Sequence, residues 1–408
     1  MEKKKNSALG FIFVVVLLDV LSFGVTIPVL PTLLKDMMNG DTVKAATLFG
    51  YFGTAWALMQ FVFSPIMGAL SDRFGRRSVL LISCFGLGFD YIFMALAPTW
   101  EWLMVGRIIS GITAASFSTA GAYIADVTTP EKRSASYGLL GAAFGLGFVL
   151  GPAFGGMLGY YSERLPFWVA AGLTLANACY GYFVLPESLS KENRRAFSWA
   201  KANPVGSLLL LNRHATLLGL AFVGFIYQLA HQVLQSVVVL YTEFRYEWTS
   251  WTVGLTLGVV GICSVMVQGG LVRPLVGLFG ERKMLLIAIL FGAAGFTAFG
   301  AATTGLGMWL SIPILAGMGF FMPSCQGLMT RRVGPDEHGQ LQGAMSSLAV
   351  IAGMFGPTLF TSVFSWSIAP ENSWKQPGMA FYLAATLMVL AWPIAFFATR
   401  STQATSPS

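Results

Sequence analysis

Apolar residues fill this chain in runs of about 20, the length a helix needs to cross a bilayer core of about 30 Å. Short polar or charged breaks separate the runs. The alternation predicts twelve spans, at residues 9–34, 46–71, 78–97, 101–124, 134–158, 165–185, 215–242, 251–276, 284–303, 307–330, 341–366 and 378–399. The longest break, residues 186–214, contains Pro186, Asn193, Asn203, Pro204 and five basic residues. It predicts a linker between an N-terminal bundle, residues 1–185, and a C-terminal bundle, residues 215–408. The opening Lys3-Lys4-Lys5 and the apolar run behind it have the outline of a signal peptide. No small-residue cleavage site follows and many more spans do, so the run is read as the first span.

The polar breaks repeat. GALSDRFGRRSVLLI, Gly68 to Ile82, returns in frame 205 residues later as FGERKMLLI, Phe279 to Ile287, in a chain of 408. Gly151-Pro152 recurs at the same offset as Gly356-Pro357. A half-length repeat in an apolar chain predicts an all-α membrane protein, with twelve transmembrane helices in two pseudo-symmetric six-helix bundles. The duplication is incomplete. Asp72 and Arg73 become Gly277 and Leu278, so the second loop is expected to keep the frame and lose most of the charge.

Composition narrows the class. Hydrophobic residues make up 55% and charged residues 11%, against roughly 25% charged in a soluble domain. A net charge of +7 could suit nucleic acid, but its distribution follows topology. The terminal segments and alternate loops hold 19 of the Lys and Arg residues, and the opposite side holds 5. The positive-inside rule then puts both termini in the cytoplasm and leaves no nucleic-acid patch. Cys84, Cys179, Cys263 and Cys325 all fall inside apolar runs without disulfide or metal spacing, and are read as packing thiols. No G-x-x-x-x-G-K-[ST] loop occurs, which argues against ATP as the energy source. No nucleophile–base pair or metal cluster is visible, so neither an enzyme nor a bound cofactor or metal is expected. The expected partners are a small-molecule substrate, protons and the lipid bilayer, around a monomer.

A charge near mid-bilayer costs roughly 2.5–3.5 kcal/mol on insertion scales, so each one needs a reason. The first half has three: Asp19, Asp90 and Arg107. Asp19 lies near the middle of span 1 with no obvious partner, where a carboxylate could take up and release a proton near neutral pH. Asp90 in span 3 and Arg107 in span 4 lie at similar depth and could pair; a structural ion pair is the plainer reading and functional polarity the sharper one. The second half has no acidic residue inside a span. Its polarity gathers in span 7, where Tyr227, Gln228, His231, Gln232 and Gln235 recur at spacings of three and four. Such a stripe could glue helices together, but five residues exceed that need and suggest a substrate-lined cavity. Gln268 and Gln326 are further lining candidates. Span 5 carries Gly138, Gly147, Gly151, Pro152, Gly155 and Gly156 in the spacing G-x(8)-G-x(3)-G-P-x(2)-G-G, which suits close helix approach with a bend.

GALSDRFGRR resembles the signature between spans 2 and 3 of the major facilitator superfamily. GRIISGITAA, from Gly106, resembles its span 4 signature, and the span 5 spacing is similar to the signature of its antiporters. LDVLSFGVTIPVLPTLL, ALMQF, GAYIAD, LPES, GERK and GQLQG resemble the tetracycline efflux pumps of the drug/proton antiporter group, from about residue 12 to 396. The resemblance implies export of a small organic compound, possibly tetracycline-like, against proton entry by alternating access across a bacterial cytoplasmic membrane. It implies a conformational latch at Gly68, Asp72, Arg73, Gly75, Arg76 and Arg77, with Asp126 pairing with its arginines. It places Asp19 and Asp90 at acidic positions important for export in those pumps, Arg107 at the span 4 arginine linked to proton coupling, and Gln228 and Gln232 at polar positions of span 7; together with the intramembrane charges this makes Asp19, Asp90 and Arg107 the expected proton-coupling set and Asp19 an expected substrate contact. Two departures weigh against tetracycline itself. Ser264 stands where those pumps carry a histidine, and Gly292 where they carry an aspartate. The competing expectation is a proton-linked or facilitative transporter of a metabolite or sugar; a non-transporting receptor is a third.

Overall fold

A computed structural model describes residues 2–113, 116–128, 133–190, 192, 194, 215–334 and 337–400. Most of the expected linker, 186–214, lies outside them. Among the described residues the secondary structure is helical throughout, as the periodicity predicts.

The first six predicted spans become α1 (Glu2–Thr26), α2 (Leu30–Met37), α3 (Thr42–Phe74), α4 (Arg76–Leu96), α5 (Trp100–Thr113), α6 (Ser116–Val127), α7 (Arg133–Tyr161) and α8 (Leu165–Val184). Span 1 is broken between α1 and α2, where Pro28 lacks a backbone donor. Span 4 is covered by α5 and α6, with residues 114–115 outside the described set. The second six become α9 (Ala215–Ser236), α10 (Val238–Tyr246), α11 (Ser250–Val265), a π-helical turn (Met266–Leu271), α12 (Val272–Phe279), α13 (Glu281–Ala301), α14 (Gly305–Ala316), a 3₁₀ turn (Gly317–Phe320), α15 (Phe321–Thr330), α16 (His338–Ile368) and α17 (Met379–Ala398). Eleven helical stretches among the described residues are long and apolar enough to cross a membrane. Neither half of span 4 alone reaches that length.

The repeat is visible in three dimensions. α4 and α13 are each 21 residues long and start 205 positions apart, and so do α5 and α14, and α7 and α16. Gly75 and Gly280, also 205 apart, precede α4 and α13 with φ of 105° and 79° and ψ of 149° and 155°. A side chain is strained in that region of φ, which explains why glycine is kept in both loops. Packing repeats as well: α1 lies on α7 and α8 as α9 lies on α16 and α17, and α4 lies on α8 as α13 lies on α17.

Two compact units result. The first comprises residues 1–40, 55–204 and 248–258; the second comprises 41–54, 205–247 and 259–408. Each therefore includes a short segment from the other half of the sequence. Glycines make the first unit's contacts possible. A Cβ on Gly24 of α1 would lie 2.9 Å from Gly151 Cα of α7, so the two backbones touch. Gly156 of α7 is met in the same way by Gly254, at 2.7 Å from its Cα, within the 248–258 segment. In the second unit, Thr54 Oγ1 donates to the Met354 carbonyl at 2.6 Å and lies 2.8 Å from Thr358 Oγ1, tying the 41–54 segment to α16.

The outer faces expose large apolar side chains: Phe183 is 82% exposed, Leu306 71% and Phe89 63%. Dozens of such side chains would destabilise a water-soluble fold and are at home in lipid, where helices satisfy their own backbone groups.

Candidate functional site

The first unit brings the predicted intramembrane charges close together. Asp19 on α1 is 6% exposed. The Cys84 thiol of α4 points at its Oδ1 from 4.0 Å, and Asn177 Nδ2 of α8 lies 4.0 Å from that sulfur while donating to the Val15 carbonyl at 2.8 Å. The expectation of a partnerless Asp19 is therefore corrected, while Cys84 is a buried member of the apolar core around α1, as read. A thiol is a weak donor, and Asn177 is the group that anchors it. Neither stands out in a hydropathy pattern; the only asparagine of span 6 was the available signal.

Asp90 on α4 is 2% exposed, and neither carboxylate oxygen has a hydrogen-bond partner among the described residues. Arg107 on α5 is its electrostatic neighbour but makes no hydrogen bond to it, and the Arg107 Nε is itself unsatisfied. The two are side by side, as their depths suggested, without forming a closed ion pair. Gly106 explains the approach: a Cβ there would come within 3.1 Å of Asp90 Oδ1 and 2.6 Å of Met94 Cγ. Tyr91 follows Asp90 on α4, is 6% exposed, and interacts electrostatically with Asp19, Asp90 and Arg107 alike. Sequence reasoning missed it because a tyrosine in an apolar run looks like core. Buried groups left unsatisfied cost about 1–3 kcal/mol each, so the placing of these two charges calls for an explanation.

The loop charges form a second cluster in the same unit. Arg76 bridges Asp72 at 2.5 Å and Asp126 at 3.2 Å, and also donates to Ser71 Oγ at 2.6 Å. Its backbone N–H donates to Glu187 Oε1 at 2.9 Å. Arg77 donates to the Tyr182 carbonyl near the end of α8, Ser188 to Asp126 at 3.0 Å, and Arg194 lies 3.9 Å from Glu187. Asp126 thus meets an arginine of the loop, while Arg73 rests over the Phe74 ring at 5.1 Å and Gly68 faces open space. Glu187, within the LPES segment, is a member that sequence reasoning did not assign.

The second loop retains more than its sequence suggested. Glu281 and Arg331 pair at 3.0 Å. They stand 205 positions after Arg76 and Asp126, so the ion pair is kept and its signs are exchanged. Gly327 leaves room for the Glu281 carboxylate.

The span 7 residues are spread over different surroundings in the second unit. The Tyr227 ring lies flat on Phe321, with centroids 3.9 Å apart and planes 5° apart, and His231 follows at 6.1 Å and 27°. Gln228 and Gln326 are half-buried, and Gln235 and Gln268 are exposed. The stem of Gln232 packs against Gly356 of α16, at 2.5 Å from the position of a Cβ there. The two departures from the pump pattern have structural correlates. Ser264 turns its hydroxyl back to the Val260 carbonyl at 2.9 Å. The space beside Gly292 is filled by Met388 Cε at 2.7 Å and Met318 Sδ at 3.1 Å from a Cβ position. In span 5, Gly147, Gly151 and Gly155 face α1, and Gly156 faces Gly254; Gly138 lies where only the backbone is described. No group of three or more metal-ligating side chains occurs among the described residues.

The sequence profile described as "Major Facilitator Superfamily" matches residues 12–357. Tetracycline resistance protein, class C, from Escherichia coli is 38% identical over 393 residues, covering 96% of each chain. Tetracycline resistance protein, class B, from Escherichia coli is 33% identical, covering 98% of this chain and 100% of its own. Among solved structures, the human organic anion transporter MFSD10 (TETRAN) shares the fold with a TM-score of 0.71 and 24% identity, covering 96% of this chain and 99% of its own.

Proposed function

Because the chain belongs to the Major Facilitator Superfamily, whose members carry small molecules across membranes, we propose that it exports a small organic compound in exchange for protons. The site is a bacterial cytoplasmic membrane, with both termini in the cytoplasm, and the cycle is one of alternating access. The compound is drug-like, and the identity to tetracycline resistance proteins over nearly the whole chain makes tetracycline the first to test.

The observation that supports proton exchange best is Asp90. Among the described residues its oxygens have no hydrogen-bond donor, so gaining or losing a proton breaks none of the bonds described, and Arg107 is near enough to respond to the change. Asp19 is the second carboxylate, linked through the shared neighbour Tyr91. Arg76 and Asp126 hold the loop to the end of α6, where a change of state would release or remake them.

Reconstituted into proteoliposomes, the wild type should move tetracycline when a pH gradient is applied. Asp90→Asn and Asp19→Asn should each lower that flux at least about tenfold, equivalent to about 1.4 kcal/mol, while exchange of labelled for unlabelled substrate persists in the absence of a gradient. Gradient-driven flux unchanged in both variants would remove the two carboxylates from the coupling. The filled space at Gly292 favours a second reading, a metabolite or sugar carrier. Substrate counterflow that ignores the proton gradient would identify it.

A further inference from the structure

We infer that the C-terminal end of α17 is a binding site for an anionic phospholipid. The phosphate meets Arg282, Lys283 and Arg400, and an acyl chain lies along the outer face of the helix. The site goes beyond the export reading and does not depend on it.

The basic end is built around one ring. Arg400 Cζ lies 4.6 Å from the centroid of Phe396, and Arg282 Cζ lies 5.5 Å from the same centroid. Trp392 stacks on that ring, with centroids 5.4 Å apart and planes 11° apart. Arg282 Nε also donates to Thr399 Oγ1 at 3.2 Å. Two guanidinium groups of like charge are thus held beside one side chain, and an anion at this end is drawn by both. Arg332 reaches the same end, but it donates to the Ala398 carbonyl at 2.8 Å and so caps the helix. Capping does not account for Lys283 and Arg400, which are exposed. Glu281, the acid of the same loop, is held by Arg331 at 3.0 Å.

An apolar track leads to this end. Val389, Leu390, Pro393 and Phe397 are exposed at helical spacing, and Arg400 continues the stripe just past the helix. From Val389 to Arg400 the rise is about 16 Å at 1.5 Å per residue, close to half of a bilayer core of about 30 Å. A track one leaflet long that ends in fixed cations is complementary to a molecule with a long acyl chain and a negative head. A free phosphate would use the cations and leave the track. A zwitterionic lipid would use the track and gain little from the cations.

The first unit supplies the contrast. Arg77, 205 positions before Arg282, likewise lies 5.5 Å from the centroid of an aromatic ring, Tyr182, near the end of α8. Ser78, however, stands where the second half has Lys283. Glu187 follows α8, accepting from the Arg76 N–H and lying 3.9 Å from Arg194. An acid follows α8 where a base follows α17. The basic end therefore belongs to the second half, on the side predicted to face the cytoplasm, where the leaflet is anionic.

The test counts bound lipid and needs no transport. Full-length protein in detergent, stripped of lipid, is titrated with phosphatidylglycerol and read by native mass spectrometry. The wild type should bind one phosphatidylglycerol more tightly than phosphatidylcholine with the same acyl chains. Arg400→Gln should weaken that binding about fivefold, the scale of one basic residue at a membrane surface, and Arg282→Gln combined with Arg400→Gln about thirtyfold. Arg282→Lys combined with Arg400→Lys should keep it, since a phosphate accepts either cation. Arg400→Gln leaves the bond to Thr399 untouched, so it tests the site even if the double variant does not fold. Equal affinity for the two lipids, or an Arg400→Gln variant with the wild-type Kd, would overturn the site. Glycerol phosphate should not compete; competition by it would show an anion site without a lipid and would likewise overturn the assignment.

Discussion

At the scale of single residues, chemistry divides into what hydropathy reveals and what it conceals. Asp19, Asp90 and Arg107 are legible because a charge interrupts an apolar run, and the run makes the charge expensive. Their neighbours are not legible. Cys84, Tyr91 and Asn177 read as ordinary members of apolar helices, and only the fold brings the thiol to Asp19 and the amide to the thiol. Outside the membrane, Asp41 offers a measurable case. Its Oδ1 accepts from the Lys44 N–H at 3.0 Å, capping α3, and that bond together with the Lys44 charge lowers its carboxyl below the usual range. The sign follows: a lowered folded value contributes stability above the unfolded pKa of about 3.9 and loses it as the pH falls through the folded value. Asp41→Ala should therefore cost about 0.5 kcal/mol at pH 7, at the low end for a partly exposed cap. Thermal melts of wild type and variant should draw together as the pH is lowered below about 3.9. A gap that does not narrow with falling pH would assign the effect to something other than the carboxylate.

At the scale of elements, the predicted spans were recognisable by length, but their interruptions were not. A window of 20 apolar residues does not distinguish a straight helix from one containing the turns at Met266–Leu271 and Gly317–Phe320, since both bury their backbone bonds internally. The loop ion pairs were half legible. The first loop's arginines are evident, whereas Glu281 and Arg331 become partners only once α13 and α15 are packed. Their exchanged signs yield a prediction. If the pair works by holding its loop to the neighbouring helix end, polarity is immaterial. Arg76→Glu should reduce transport severalfold, and Arg76→Glu combined with Asp126→Arg should recover much of it, imitating the second half. Flux in the double variant as low as in the single one would show that Arg76 serves its other contacts, to Asp72, Ser71 and Glu187, more than Asp126.

At the scale of the whole molecule, the 205-residue repeat was the most legible feature, because loop glycines and prolines keep their frame when the side chains between them drift. Hidden from sequence was that each compact unit takes a short segment from the other half: 41–54 joins the second and 248–258 the first. Gly254 against Gly156 and Thr54 against Met354 are contacts that no hydropathy plot contains. Residues 1–204 produced alone should consequently melt several degrees below the full chain in the same detergent, and co-production with residues 205–408 should abolish the difference. A fragment as heat-stable as the intact protein would mean that the 248–258 segment adds little.

The sign exchange between Arg76–Asp126 and Glu281–Arg331 also bears on how two similar halves assemble without confusion. During synthesis, either loop could meet the helix end of the wrong half, since the frames match. Such a mistake would set Arg76 beside Arg331, and Glu281 beside Asp126, like charge against like. Each correct contact attracts and each mistaken one would repel, so the reversed polarity disfavours the exchanged pairing.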